Sequence, residues 1–270
     1  AFYLKPLIDS DEAWQQLEEA GCQPLYSSED PDGSQIVYGR LPNNLKSPDI
    51  LELCPAIALI EAASFSPIDW NAQWENHGEN FHDGFVHIQL QDFAPDNPIT
   101  LQLKPGPGFG DLSHPTTRLV LSQMADLVKN KYVVDIGCGS GILALAAHAM
   151  GAKRVIGVDI DADAINHAYQ NAKINGMTKK IEFLLPEQCN SLIIKPEDEI
   201  VVLMNMIQSE QAVAWQSMKT IHQHVQTIIT SGILVEGAEA YLKQCHKWNW
   251  KEVNRVESEG WLGFRFEMGH

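Results

Sequence analysis

From residue 132 onward, fully apolar runs alternate with short polar or glycine-rich breaks. Tyr132–Ile136 is short and β-branched, as a strand buried on both faces should be. Gly137, Gly139 and Gly141 follow at alternate positions. The alanine-rich run 142–150 then predicts a helix packed back on the sheet, with Gly151 placed to stop it. Arg154–Val158 predicts the next strand, closed by Asp159. The alternation goes on through a helix over 162–175 stopped at Gly176, a strand over 181–185, and a strand over 199–205 that ends in Met204-Asn205. A helix over 210–224, a strand over 227–233 and a helix over 235–247 come next. Runs 250–256 and 262–266 predict a closing antiparallel pair around Gly260. Strands and helices in this order predict an α/β fold with a seven-stranded, Rossmann-like sheet.

Upstream the pattern changes. Residues 2–8 are a short apolar segment, and Ser10 or Asp11 caps a helix running to Ala20 with Gly21 as its stop. Leu25 and Tyr26 start a strand, Asp30-Pro31-Asp32-Gly33 is a turn, and 35–39 is the returning strand. A helix over 49–54 and a strand over 56–61 complete the order β-α-β-β-α-β, which predicts a small ferredoxin-like α+β domain. Residues 67–80 predict a connecting helix with Trp70 and Trp74 on one face. Runs 85–90 and 99–103 alternate as strands. The expected organisation is a small α+β domain over 1–65, a linker helix and connecting strand over 66–97, and a catalytic domain over 98–270.

Composition narrows the classes. The 270 residues are 44% hydrophobic, enough for a sizeable core. No apolar run reaches membrane-spanning length, and the first residues lack a basic-then-apolar signal pattern. A formal charge of −16 argues against a nucleic-acid surface and favours a basic partner. Five scattered cysteines without a C-x-x-C pair suggest reduced thiols in a cytoplasmic protein. Cys138, inside the glycine turn, reads as a small tolerated side chain.

The candidate chemistry sits at the glycine turn. Three glycines let the backbone bend sharply and let a ligand approach main-chain atoms at a helix N-terminus. The spacing is G-x-G-x-G, and the third glycine of a dinucleotide fingerprint would fall on Ile142. Asp135, two residues before Gly137, would be a poor neighbour for pyrophosphate and a good one for a cation. S-adenosylmethionine has no phosphate and carries a sulfonium and an ammonium. Asp159, about twenty residues on, is placed for ribose hydroxyls. Residues 104–111 form a glycine- and proline-rich loop around Phe109, read as a lid over the cofactor mouth. Pro115 starts a helix whose first turn holds Thr116 and Thr117, with hydroxyls available to the ligand. Asn205 ends an apolar strand at the point where ligands bind such sheets. Its amide oxygen can accept an N–H from an amine without imposing a full charge. His114 is a candidate base or a structural residue ahead of Pro115. His77, His82 and His87 recur every five residues, fit no single face and read as surface histidines, so no metal site is expected. His222 and His224 do not read as a ligand pair.

These motifs resemble a family. The D-x-G-x-G-x-G pattern looks like the first motif of class I methyltransferases. PGPGFGDLSHPTT ending at Thr117, VVDIGCGSGILALAA from Val133, GVDID ending at Asp161, Asn205, and SGIL from Ser231 occur in the order and spacing of the ribosomal protein L-eleven methyltransferases. The resemblance covers the chain from about Pro98 onward; before that only the βαββαβ order matches. It implies S-adenosylmethionine as cofactor, held at Phe109, Thr117, Gly137, Gly139, Asp159 and Asn205. It also implies a small N-terminal domain that docks a basic ribosomal protein, and methylation of lysine side chains and an N-terminal amine. A cytoplasmic monomer that binds neither nucleic acid nor membrane is expected. Two departures stand out. Gly110-Asp111-Leu112 replaces the family's glycine-threonine-glycine in the lid, and Met206-Ile207-Gln208 replaces its isoleucine-leucine after the asparagine. Methylation of another protein or a small molecule, or a cofactor-binding module with a degenerate site, are the alternatives.

Overall fold

The computed structural model describes residues 2–5, 10–29, 35–42, 45–61, 80–106, 110, 114–195 and 197–269. The chain divides into two compact units, Ala1–Asp69 and Trp70–His270. In the first, β1 (Phe2–Leu4), α1 (Ser10–Glu19), β2 (Gln23–Glu29), β3 (Gln35–Arg40), α2 (Ser47–Leu53) and β4 (Ile57–Ile60) follow one another as the periodicity predicts. The sheet order is β2-β3-β1-β4 and every neighbouring pair is antiparallel, which is the ferredoxin-like arrangement. Its core joins Phe2 and Leu4 of β1, Ala13 and Leu17 one helical turn apart on α1, and Ile50 and Cys54 at the same spacing around α2. The expected turn at Asp30 to Gly33 and the linker helix with Trp70, Trp74 and His77 lie outside the described residues.

The second unit opens with an antiparallel sheet of β5 (Phe81–His82), β6 (Phe85–Gln89) and β7 (Thr100–Leu103). Alternate residues Val86, Ile88, Leu101 and Leu103 point into a core shared with the elements that follow. The rings of His82 and His87 stack at 3.7 Å across β5 and β6.

Next come α3 (Pro115–Met124), β8 (Tyr132–Ile136), α4 (Ile142–Ala149), β9 (Arg154–Val158), α5 (Ala162–Ile174), β10 (Ile181–Leu184), β11 (Ile200–Asn205), α6 (Gln208–Ser217), β12 (Val225–Leu234), α7 (Ala238–Lys247), β13 (Trp250–Ser258) and β14 (Trp261–Met268). The seven-stranded sheet runs β10-β9-β8-β11-β12-β14-β13. Its first five strands are parallel, and β14 and β13 close it in antiparallel pairing. The chain leaves β8 toward β9 and β10, then returns to β11 on the other side. The switch point therefore lies between the carboxyl ends of β8 and β11.

Strand alternation sorts the core into two layers. Val133, Val155, Val201 and Leu203 face α3, α4 and β7, while Tyr132, Val134, Ile136, Val202 and Met204 face α6, α7 and the closing strands. Asp135 and Asn205 fall in the first register, on the α3 and α4 side. All five residues of β8 are buried, which explains its unbroken apolar reading apart from Asp135.

The helix expected over 210–224 is shorter. It ends at Ser217, and a 3-10 turn covers His222–His224. The His222 ring stacks on Trp215 at 3.8 Å, and its Nε2 lies 2.9 Å from the Trp215 carbonyl, so the histidine takes a last-turn acceptor and folds the chain back. A 3-10 turn, Val235–Gly237, likewise precedes α7. Trp250 is buried among Trp215, Trp248 and Phe266 and packs the core under the closing strands.

Candidate active site

At the carboxyl end of β8 the chain turns through Gly137, Gly139 and Gly141, all at positive φ (73°, 52° and 82°). Gly137 N–H and Cys138 N–H donate to the Val158 carbonyl (2.7 and 3.0 Å), pinning the turn to the end of β9. Gly141 then sits at the N-cap of α4, whose first N–H groups open toward the turn. Cys138 is buried at 3% exposure and its thiol is pushed well above its usual value by burial, so it takes no part as a nucleophile.

The two acids occupy different environments. Asp135 is fully buried beneath the turn; Ala144 N–H donates to its Oδ2 (3.1 Å), and Oδ1 has no partner among the described residues. Burial, opposed by that hydrogen bond, raises its carboxyl from 3.8 to about 7. A buried acid with a spare lone pair favours a cation close by. Asp159 is half-buried at the tip of β9. Its Oδ2 accepts from Gly139 N–H (2.9 Å) and its Oδ1 from Asp161 N–H (3.0 Å). Each oxygen keeps a lone pair for a hydroxyl donor. Glu210, in the first turn of α6, is raised by loss of water and then by the charge of Asp159.

Of the lid, the structure describes the base and Gly110; Phe109, Asp111 and Leu112 lie outside the described residues. Ser140 Oγ donates to the Gly110 carbonyl (2.6 Å), tying Gly110 to the glycine turn. His114 is the N-cap of α3. Its Nδ1 accepts from Thr116 N–H (3.4 Å) and lies 2.8 Å from Thr116 Oγ1, while its ring meets Trp261 edge-on at 4.8 Å. Thr116 and Thr117 are both buried, and both hydroxyls have partners inside the protein, Thr117 with Asn205.

Asn205 ends β11 beside Ser231 of β12, one position beyond the Met204 and Ile136 pair. The peptide after it is held closely. Gln211 Nε2 donates to the Met206 carbonyl (2.8 Å) and the Ser231 carbonyl (3.0 Å), and Tyr241 Oη joins Gln211 Oε1 (2.6 Å) to Thr230 Oγ1 (2.7 Å). Gly232, at φ 91°, has no room for a Cβ, which would strike the Met206 carbonyl oxygen.

The structure thus brings Asp135, Gly137, Gly139, Gly141, Asp159, Asn205, Thr116 and Thr117 to the carboxyl end of the sheet. Two supporting groups escape a reading for motifs. One is the Gln211–Tyr241 network. The other is the row His167, Asn171, Asn175 on α5. Asn171 Oδ1 accepts from Lys104 N–H (2.8 Å), and its Nδ2 donates to the Ser140 carbonyl (2.9 Å). His167 Nε2 lies 2.6 Å from the Lys104 carbonyl, and Asn175 bonds both backbone groups of Gln102. This row gives β7 side-chain partners in place of a neighbouring strand and fixes the chain as it leaves β7 at Lys104. Its i, i+4, i+8 spacing was a visible signal.

A five-stranded parallel sheet closed by an antiparallel pair, a glycine turn at the switch point and an acid on the next strand tip define a class I methyltransferase fold. The family model for Ribosomal protein L11 methyltransferase (PrmA) matches residues 49–268. The chain belongs to that family of S-adenosylmethionine-dependent enzymes. Among curated relatives, the ribosomal protein L11 methyltransferase of Glaesserella parasuis serovar 5 is 33% identical over 201 residues, covering 72% of this chain and 65% of the relative. That of Alteromonas mediterranea is 37% identical over 176 residues, covering 62% and 57%. The chain therefore spans about three-fifths of the length of these relatives. A crystal structure of ribosomal protein L11 methylase from Lactobacillus delbrueckii subsp. bulgaricus superposes with a TM-score of 0.51 at 26% identity, covering 62% of this chain and 84% of that one. No helix among the described residues is long and apolar enough to cross a membrane.

Proposed function

We propose that this protein is an S-adenosylmethionine-dependent protein N-methyltransferase that modifies lysine side chains, the N-terminal amine, or both, of the large-subunit ribosomal protein L11. The observation that carries this reading is the glycine turn with a buried, half-satisfied acid beneath it, flanked by Asp159 on one side and Asn205 on the other. Residues 98–270 carry the chemistry, and residues 1–65 recognise the basic substrate. The reading places the enzyme in the cytoplasm, supported by cysteines that are all free and buried. It takes the enzyme to act as a monomer, which light scattering checks.

The residues fit the cofactor's chemistry. The positive-φ turn leaves backbone exposed to a ligand, Asp135 supplies negative charge for a sulfonium and an ammonium, and Asp159 offers two acceptors to ribose hydroxyls. Gly137 and Gly139 line this cradle, and Gly141 opens the helix behind it; the family resemblance adds Phe109 and the threonines at the start of α3 to the cofactor-holding set. When bound, S-adenosylmethionine supplies a methyl group on a positively charged sulfur, and transfer is an in-line displacement.

The protein's task is alignment. A free lysine has a pKa near ~10.4 and is mostly protonated at neutral pH. Its ammonium must lose a proton to solvent before the nitrogen can attack. Asn205 can accept one remaining N–H and aim the lone pair without holding a third proton on the amine, which a carboxylate would do.

Incubation with labelled S-adenosylmethionine and undermethylated ribosomal proteins, with label located by mass spectrometry, tests the reading. Label on L11 amines is the expected result. Cofactor binding without transfer to any ribosomal protein would favour a binding module, and label on another protein would redirect the substrate.

A further inference from the structure

We propose that Leu234 and Trp261 form an apolar platform that receives the methylene stem of a target lysine and presents its amine to Asn205. The inference deepens the methyltransferase reading by naming the surface that holds the substrate side chain, and it rests on that reading.

Leu234 and Trp261 are paired directly across β12 and β14, so both side chains stand on one face of the sheet. That face is the one that carries Asn205. The Trp261 ring meets the ring of His114, the N-cap of α3, while Asn205 Nδ2 lies 3.2 Å from Thr117 Oγ1 in the first turn of the same helix. One turn of α3, a rise of about 5 Å, therefore separates the two contacts. The sheet gives a similar measure. Asn205 pairs with Ser231, and Ser231 Oγ donates to the Leu262 carbonyl (2.9 Å). Trp261 precedes Leu262, so its main chain stands two strands from Asn205, on the order of 10 Å away. A lysine stem lying over the leucine and the indole can place its nitrogen beyond them, toward Asn205.

The surface beside this pair is apolar and open. Leu234 is 49% exposed, Val235 38% and Ile207 53%, and Ile207 follows Met206, whose carbonyl lies against Gly232 of β12. Exposed apolar side chains thus gather at the carboxyl ends of β11 and β12. A patch of this kind, rimmed by charge, marks a binding surface. The rim is acidic. Glu236 follows Val235 and Glu210 lies in the first turn of α6; both are exposed and have no ion pair among the described residues. The nearby cation, Arg118, is paired with Glu259 at 2.8 Å. An apolar floor with an acidic rim fits a lysine of a basic peptide, its stem on the floor and its charged neighbours at the rim. An acidic or wholly apolar segment matches only one of the two. The floor also favours the neutral amine that attack requires, since loss of water disfavours the ammonium.

The test replaces Leu234 in the full chain by Ser, which removes apolar surface, and by Met, which keeps it. Leu234 is half exposed, so neither change should move the urea midpoint appreciably. With recombinant L11 and saturating S-adenosylmethionine, Leu234→Ser should lower kcat/KM about tenfold, the worth of one leucine's apolar contact. Leu234→Met should keep it within about twofold. Calorimetry should give both variants the wild-type affinity for S-adenosylmethionine. An unchanged kcat/KM in Leu234→Ser, an equal loss in both variants, or weakened cofactor binding would overturn the proposal. A second measurement needs no turnover. An acetylated Ala-Lys-Ala amide should shift the Trp261 indole N–H signal in NMR spectra, the signal being assigned by its loss in Trp261→Phe. The shift should shrink in Leu234→Ser. Should wild type transfer no methyl to L11, the methyltransferase reading fails on its own. The indole signal then decides the platform: a shift with the peptide upholds it, and an unmoved signal refutes it.

Discussion

Around the amino ends of β8, β9 and β11, and on β10, charged side chains meet in pairs: Lys131 with Glu199, Lys153 with Asp198 at 3.1 Å, and Arg154 with Glu182 at 3.0 Å. At the carboxyl ends of the same strands, Asp135 and Asp159 bond backbone N–H groups, and Asn205 bonds a buried hydroxyl. The strands are the same; the ends differ in how charge is satisfied. At the amino end each of these charges has an opposite partner and all but Asp198 are well exposed, so in the pairs Lys131 with Glu199 and Arg154 with Glu182 losing one partner leaves the other solvated. At the carboxyl end the partners are main-chain dipoles, and among the described residues Asp135 and Asp159 have no ion-pair partner. That imbalance is what a cationic ligand can complete. The contrast also separates a face that keeps the protein in solution from one that binds.

The comparison can be broken most forcefully at Asp135. Its carboxyl is at about 7 in the folded protein against an ordinary 3.8, so the folded state holds a proton that the unfolded chain releases. Stability should therefore be highest below pH 4 as far as this group is concerned, and fall as pH rises toward 7, by on the order of 4 kcal/mol. Asp135→Asn should flatten that pH dependence in urea unfolding curves. An equally steep profile in the variant would place the titration elsewhere. For the same reason, affinity for S-adenosylmethionine should strengthen between pH 6 and 8 in wild type, because the acid must ionise to meet the sulfonium.

Gly232→Ala comes next. The new Cβ would strike the backbone carbonyl of Met206 at a positive φ, and we expect a loss of about 3 kcal/mol in the urea midpoint analysis. A near-neutral result would mean that the peptide after Asn205 can move freely. Asp159→Ala should weaken cofactor binding by roughly 1.5–3 kcal/mol, the worth of hydrogen bonds to a charged group. An unchanged dissociation constant by calorimetry would remove Asp159 from the site. At the opposite end, Glu182→Gln should shift stability by less than about 1 kcal/mol and leave cofactor affinity alone. A larger effect would erase the difference between the two ends.

Much of this carboxyl end was readable beforehand because its parts are local. Tyr132–Ile136 and Arg154–Val158 are found where the apolar runs place them, and Gly137, Gly139, Gly141 and Asp159 follow from strand ends and turn chemistry. The ferredoxin-like order of the first unit was legible for the same reason. The helix over 210–224 was overextended, because polar periodicity did not reveal that His222 folds back onto Trp215. Gln211 and Tyr241 carried no motif, since thirty residues separate two side chains that meet at 2.6 Å.

Residue order along the chain determined the elements, the sheet type and the identity of the glycine turn, because hydrophobic period and turn chemistry act over a few neighbours. Only the folded molecule decided that Asp135 lies buried with one oxygen unpartnered, that Asp159 spans to Gly139, and that Thr117 meets Asn205 across 88 positions. Those outcomes depend on which strands become neighbours and how deeply each side chain is desolvated, and both are properties of the packed sheet.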